Sequence, residues 1–196
     1  MTNAARPDEA TRGIATTDIA VFLNIVALYL VAGLLMAAFV LEFTRDELPC
    51  PLCLLQRIAL SGMAAGLILN LRFGLAPRHY GLILLAAASG AVFAGRQILL
   101  HIAPGDPGYG SPVLGLHYYT WCAIVFGIAI VLTGFVLLFD DQFDSPRPRR
   151  MGIFATIAVV LGIGITAANV ATTFLECGLH ACPDNPVTFE LLDRPS

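Results

Sequence analysis

The chain has 196 residues, 57% of them hydrophobic and 13% charged, with a mean hydropathy of +0.78. Soluble domains carry about 25% charged residues, so this composition excludes an ordinary water-soluble fold and puts most side chains against lipid or other membrane helices. All 11 basic residues are arginine and none joins a basic cluster with interleaved aromatics, which argues against a nucleic-acid partner; the net charge of −3 matters less than where the charges fall.

Met1 to Asp18 reads as a polar tail. Five apolar spans follow, approximately Ile19–Phe43, Cys53–Leu71, Tyr80–His101, Tyr118–Phe139 and Gly152–Leu175, each near the length of about 20 residues needed to cross a bilayer. The first is too long for a signal-peptide core and lacks a small-residue cleavage site, so it reads as a retained helix. Arg72 to Arg78 forms a tight link between spans two and three, and Asp140 to Arg150 a surface loop between spans four and five. Ala103 to Leu116 carries three prolines and four glycines and reads as a turn-rich loop. It ends in His117-Tyr118-Tyr119-Thr120-Trp121, an aromatic group suited to anchoring at the membrane–water boundary. Glu176 to Ser196 is a short polar tail. The expected fold is therefore all-α: an integral membrane bundle of five helices (residues 19–175) between two tails (1–18 and 176–196).

Arginine placement orients this bundle. Arg6, Arg12, Arg72, Arg78, Arg147, Arg149 and Arg150 fall on one side, against Arg45 and Arg194 on the other, with Arg57 and Arg96 inside spans. The positive-inside rule puts the N-terminus in the cytoplasm and the C-terminus outside. Cys50, Cys53, Cys177 and Cys182 then all lie on the outer face, in the kind of compartment where disulfides persist.

Cys50-Pro51-Leu52-Cys53 sits where a polar turn gives way to the second span. A helix starting near Pro51 puts Cys53 in its first turn, where unpaired N–H groups and the helix dipole favour an anion. Arg57 lies four residues on, on the same helix face, so a guanidinium is expected beneath a low-pKa thiolate. A charge inside a span is costly and usually functional. Cys177 and Cys182 close a short glycine-containing loop after the last span, with His180 between them. Two dithiols in a membrane suggest transfer of electrons from thiols to a lipid-soluble acceptor. A zinc site, a pair of structural disulfide clips and chance membrane cysteines are the competing readings. Cys122, inside span four, reads as a packing residue. Arg96 is a candidate for the same pocket as Arg57, against snorkelling to headgroups; His101 and His117 bracket the outer loop as candidate contacts to a bound head group.

On Cys50-Pro51-Leu52-Cys53 at a helix start, Arg57 four residues on and a second outer cysteine pair, the chain resembles the quinone-dependent disulfide bond formation protein B (DsbB) family. The resemblance implies an enzyme of the bacterial inner membrane. In that family the helix-start pair faces ubiquinone or menaquinone with the arginine beside it, and the second pair oxidises a thioredoxin-fold dithiol carrier (DsbA-like), the relay that keeps a periplasm oxidising. Electrons would enter at Cys177/Cys182, pass to Cys50/Cys53 and leave from Cys53, with Cys177 as the attacked sulfur by analogy. The family's usual member has four helices and its second pair between helices three and four; here that loop has no cysteine and the pair follows a fifth span. The vitamin K epoxide reductase family has the reverse cysteine order. A reductive carrier is disfavoured because no cysteine lies near the inner face. A non-enzymatic membrane protein or transporter subunit with two structural disulfides is the alternative from another class.

Overall fold

The computed structural model describes residues 7–45, 47–143 and 151–192, with side chains from residue 17 onward. Five helices follow one another: α1 Pro7–Thr44, α2 Pro51–Phe73, α3 Pro77–Leu100, α4 Tyr118–Val136 and α5 Ile153–Cys177. Each is long and apolar enough to cross a membrane, α1 through its Thr17–Thr44 part. Pro51 and Pro77 occupy the first helical positions of α2 and α3, where a missing N–H costs nothing. Gly74 ends α2 at φ +95° with its N–H on Asn70 O (3.1 Å), a backbone conformation that residues with a Cβ rarely adopt. The three-residue link that results forces α2 and α3 antiparallel.

The outside of the bundle is apolar: Leu85, Val92, Val131 and Val160 are each more than 60% exposed, as lipid-facing positions are. Lipid tails compete equally for apolar contacts, so helices associate through close packing of small residues. Gly62 and Gly66 of α2 bring Ala86 and Ile83 of α3 to van der Waals contact, with no room for a Cβ at Gly66. On α3, Gly90 opens the slot that holds the ring of Phe126, which is fully buried. α5 packs on α1 and α2, with Gly162 facing Leu28 and Ile68.

A polar network locks the end of the bundle away from the cysteines. Asn24 Nδ2 donates to Tyr80 Oη (2.7 Å), Asn70 Nδ2 to Asn24 Oδ1 (2.9 Å) and Tyr80 Oη to Gln142 Oε1 (3.2 Å). His79 Nδ1 pairs with Asn70 Oδ1 (3.1 Å).

Helix ends differ from the sequence expectation where apolarity and backbone geometry part company. α1 begins at Pro7, inside the segment read as a tail. α4 stops at Val136 although the apolar run continues to Phe139, because Leu137–Phe139 turn into the 3-10 turn Asp140–Phe143. That turn, expected as open loop, buries Gln142 through bonds from its Nε2 to Val136 O (2.6 Å) and Phe139 O (2.8 Å). Arg6, Arg147, Arg149, Arg150 and Arg194 lie outside the described residues, and Arg12 contributes only backbone.

Candidate active site

Cys50 is the N-cap of α2, and its Sγ accepts from Cys53 N at 3.2 Å. Cys53 thus occupies the first helical turn, as the spacing required. The two are disulfide-bonded, with Cα atoms 5.0 Å apart. Gln97 of α3 supplies what neighbours the sulfurs: its Nε2 lies 3.2 Å from Cys50 Sγ and 3.5 Å from Cys53 Sγ. Its Oε1 accepts from Gln56 Nε2 at 2.7 Å, which fixes the amide's orientation. Both glutamines are buried.

Arg57 does not lie free beneath Cys53. Its Nη1 donates to Glu42 Oε2 (2.6 Å) and Asn169 Oδ1 (3.2 Å), and Nη2 to Ala38 O (3.1 Å). The guanidinium therefore ties α2 to α1 and α5, and Glu42 offsets its charge. A carboxylate on α1 and an amide on α5 were not anticipated partners. The four-residue spacing within α2 fixes where the side chain starts, not which groups meet it from neighbouring helices.

These groups meet at a cavity of about 460 Å³, within the size range of small-molecule sites. Cys53, Gln56, Arg57, Gln97 and Glu42 line it among apolar walls that include Leu34, Leu60 and Val125. Cys53 is on the wall and Cys50 is not. Tyr118, Tyr119 and Trp121, from the aromatic group expected at the membrane boundary, line the cavity; Trp121 Nε1 donates to Val113 O (3.0 Å). The Tyr118 hydroxyl and Glu42 Oε1 are buried with no hydrogen-bond partner among the described residues. Cys122 packs on the core and also faces the cavity.

The loop after α3 is tied to the link that leads into α2. Tyr109 Oη donates to Leu48 O (2.6 Å), and Glu47 takes Ser111 N (3.2 Å) and the Ser111 hydroxyl. Burial first, then the carboxylates of Glu176 and Glu47, hold the Tyr109 phenol above its ordinary pKa of 10, so it remains a donor. His101 pairs with Asp106 (2.9 Å) and its ring stacks on Tyr119 at 5.7 Å, but His101 is not on the cavity wall. Arg96 is exposed and also off the wall.

The second pair is closed too, Cys177 to Cys182, with Cα atoms 4.8 Å apart. Cys177 ends α5 and is only 2% exposed, whereas Cys182 is half-buried. Residues beyond the loop fold back: Leu191 N donates to Leu175 O (3.1 Å), and the ring of Phe189 stacks on Phe43 of α1 at 6.0 Å. His180 points to Glu190 (3.6 Å) and is mostly exposed. Among the described residues no three His, Cys, Asp or Glu gather to hold a metal ion.

The family model described as "Disulfide bond formation protein DsbB" matches residues 20–108, which span Cys50, Cys53, Arg57 and Gln97. "Disulfide bond formation protein B" of Marinobacter nauticus (strain ATCC 700491 / DSM 11845 / VT8) is 34% identical over 154 aligned residues, covering 59% of this chain and 89% of that protein. The chain belongs to the DsbB family. Proteins of the same description from Hahella chejuensis and Nitrosomonas eutropha are 37% identical over 96 residues and 44% over 73. Those two matches cover 45% and 35% of this chain, and 55% and 45% of the respective relatives. No solved structure matches. The DsbB family match ends before α4, so α5 and the second pair lie outside it.

Proposed function

We propose that the protein is a thiol:quinone oxidoreductase of the bacterial inner membrane that reoxidises a DsbA-like dithiol carrier and so supports disulfide formation. The observation that carries this reading is Cys53 on the wall of an apolar cavity together with Arg57 and Gln97. The cavity fits a quinone ring: apolar walls suit its face and tail, and donors suit its carbonyl oxygens. Arg57 keeps two N–H groups without a partner among the described residues, and the Tyr118 hydroxyl is unpartnered. Ubiquinone or menaquinone, when bound, accepts two electrons and two protons.

Arg57, Tyr118 and Gln97 would orient that acceptor. Cys53 presents its sulfur to it, and Gln97 with the first turn of α2 stabilises the thiolate that forms when Cys50–Cys53 is opened by exchange. Cys177 and Cys182 pass the carrier's electrons to Cys50 and Cys53. Accessibility favours the opposite order within that pair, with Cys182 as the attacked sulfur. A partner's thiolate needs a clear line to the sulfur it attacks, and half-buried Cys182 offers one where buried Cys177 does not. Arg96 and His101 are assigned to the rim of the site, outside its wall.

Arginine asymmetry supports a cytoplasmic N-terminus and outer cysteines. An alkaline phosphatase fusion after Leu192 should be active and one after Asp144 inactive, and the reverse pattern refutes this orientation. For the reaction itself, purified protein is mixed with a reduced DsbA-like protein and a short-chain ubiquinone while quinone absorbance is followed. Turnover that disappears in Cys53→Ala supports the reading. Undiminished turnover in Cys53→Ala, or none in the wild type, refutes it.

A further inference from the structure

The turn at Leu114 departs from two rules of local structure at once. Val113 and Leu116 bond each other in both directions, Val113 N to Leu116 O at 2.8 Å and Leu116 N to Val113 O at 3.1 Å. The two residues between them, Leu114 and Gly115, have φ of +53° and +81°. Tight turns of this mirror-image kind take asparagine or glycine, because a Cβ makes the left-handed region unfavourable. Leu114 is the one non-glycine residue at positive φ among the described residues. Its side chain is also 88% exposed, so leucine gains little here from packing.

The base of the turn is firmly held. Trp121 Nε1 of α4 donates to Val113 O (3.0 Å), His117 Nδ1 meets Gly110 O (3.1 Å), and Ser111 N donates to Glu47 Oε1 (3.2 Å). Gly110, Val113, Trp121 and Glu47 all line the cavity that Cys53 faces, so the turn is fastened to the wall of that cavity. Leu114 lines the same cavity while remaining exposed, and so does Leu34 of α1, at 39% exposed. Exposed residues on a cavity wall mark where it opens. Leu114 is therefore held at the mouth. Among the protein's own groups, an outward leucine in a left-handed conformation has no contact that offsets its cost. An apolar guest at the mouth would supply that contact.

We propose that Leu114 is a contact residue for the acceptor, closing on the hydrocarbon part of a quinone at the mouth of the cavity and setting its affinity. This rests on the thiol:quinone reading and adds a specificity element to it. Arg57 and Gln97 serve the carbonyl oxygens and Leu114 the hydrocarbon, so affinity follows the apolar surface that the ligand brings to the mouth.

Trp121 is the only tryptophan of the chain and lines the cavity, so its fluorescence reports binding without turnover. Purified full-length protein in detergent is titrated with a short-chain ubiquinone, and saturable quenching gives Kd. Leu114→Asn suits the turn and removes the apolar side chain. It should raise Kd about tenfold, the low end of what one buried leucine contributes. It should also raise the melting temperature measured without added quinone, because the backbone strain is relieved. Leu114→Met keeps the apolar bulk and should bind nearly as the wild type does. A wild-type Kd in Leu114→Asn overturns the proposal and leaves the leucine to the bilayer surface, near which α4 begins at Tyr118. A lower melting temperature in Leu114→Asn overturns it too, because the leucine would then serve the fold. Either result, with saturable quenching in the wild type, rejects the role of Leu114 alone. No saturable quenching in the wild type rejects the quinone reading along with it.

Discussion

Gln97 Nε2 lies 3.2 Å from Cys50 Sγ, so a side chain of α3 donates directly to the N-cap sulfur of α2. The same nitrogen reaches Cys53 Sγ at 3.5 Å. A donor favours a thiolate over a neutral disulfide sulfur, so it stabilises the reduced pair more than the oxidised one. Replacing Gln97 with leucine should therefore make the Cys50–Cys53 potential more negative. A hydrogen bond to a charged group contributes about 1.5–3 kcal/mol, which for two electrons is about 30–65 mV. Redox titration against dithiothreitol checks the size, and a shift toward more positive values would show that Gln97 favours the disulfide.

Arg57→Ala strands Glu42 in a buried site. Removing one partner of a buried ion pair costs about 3–5 kcal/mol, so melting in detergent should fall markedly, and Arg57→Ala/Glu42→Gln should recover most of the loss. Arg57→Lys keeps the charge without the planar fork that serves Glu42, Asn169 and Ala38 together, and should rescue only in part. Both single variants should raise the quinone KM. Equal melting temperatures for the single and double variants would mean that the ion pair is not what Arg57 supports.

If Cys182 is the attacked sulfur, Cys177 is the thiol that resolves the mixed disulfide. Cys177→Ala should then trap a covalent complex with a carrier whose own resolving cysteine is mutated, visible on a non-reducing gel. Cys182→Ala should trap far less. The opposite pattern would assign entry to Cys177 and require the loop after α5 to open first.

Gly90 and Phe126 make a sharper test of packing than of chemistry. A methyl at position 90 meets the fully buried Phe126 ring, which must shift to admit it. Overpacking of this kind costs about 1–3 kcal/mol. Gly90→Ala should lower thermal stability, and Phe126→Leu in the same chain should restore part of it.

The loop after α3 carries its own pH signature. Asp106 is held below the usual carboxylate range, first by the N–H of Gly108 and then by His101. A depressed folded-state pKa means the stabilisation is present above the unfolded value of 3.8 and disappears as pH falls below it. An acid-active protease should nick residues 103–116 faster near the acid end of that window than at neutral pH. Asp106→Asn should be nicked at one rate across it.

The spans were legible because lipid imposes one requirement, about 20 apolar residues with internally bonded backbone, and that requirement is written locally. Cys53 in the first turn of α2 was legible for the same reason: Pro51 and the spacing settle it within one element. What escaped depends on which helices meet. Gln97 and Gln56 lie on different spans, so nothing local in the sequence joins them, yet they bond to each other across α2 and α3 and Gln97 presents a donor to both sulfurs. Glu42 and Asn169 carried a signal as well, a carboxyl and an amide within otherwise apolar runs, in register with an intramembrane arginine. The place of Tyr118, Tyr119 and Trp121 on the cavity wall was not legible either, since it depends on the loop above, where Trp121 bonds Val113 O.

The bond from Arg57 to Asn169 gives α5 a place in the timetable of biosynthesis. α5 leaves the ribosome after the other four helices, and it brings Asn169, Glu176 and Cys177 together. Until it inserts, the nascent chain has the Cys50–Cys53 pair but neither the last neighbour of Arg57 nor the second cysteine pair. On the proposed reading, a half-made chain in the membrane could not draw electrons from a carrier, and redox competence would arrive with the final insertion event.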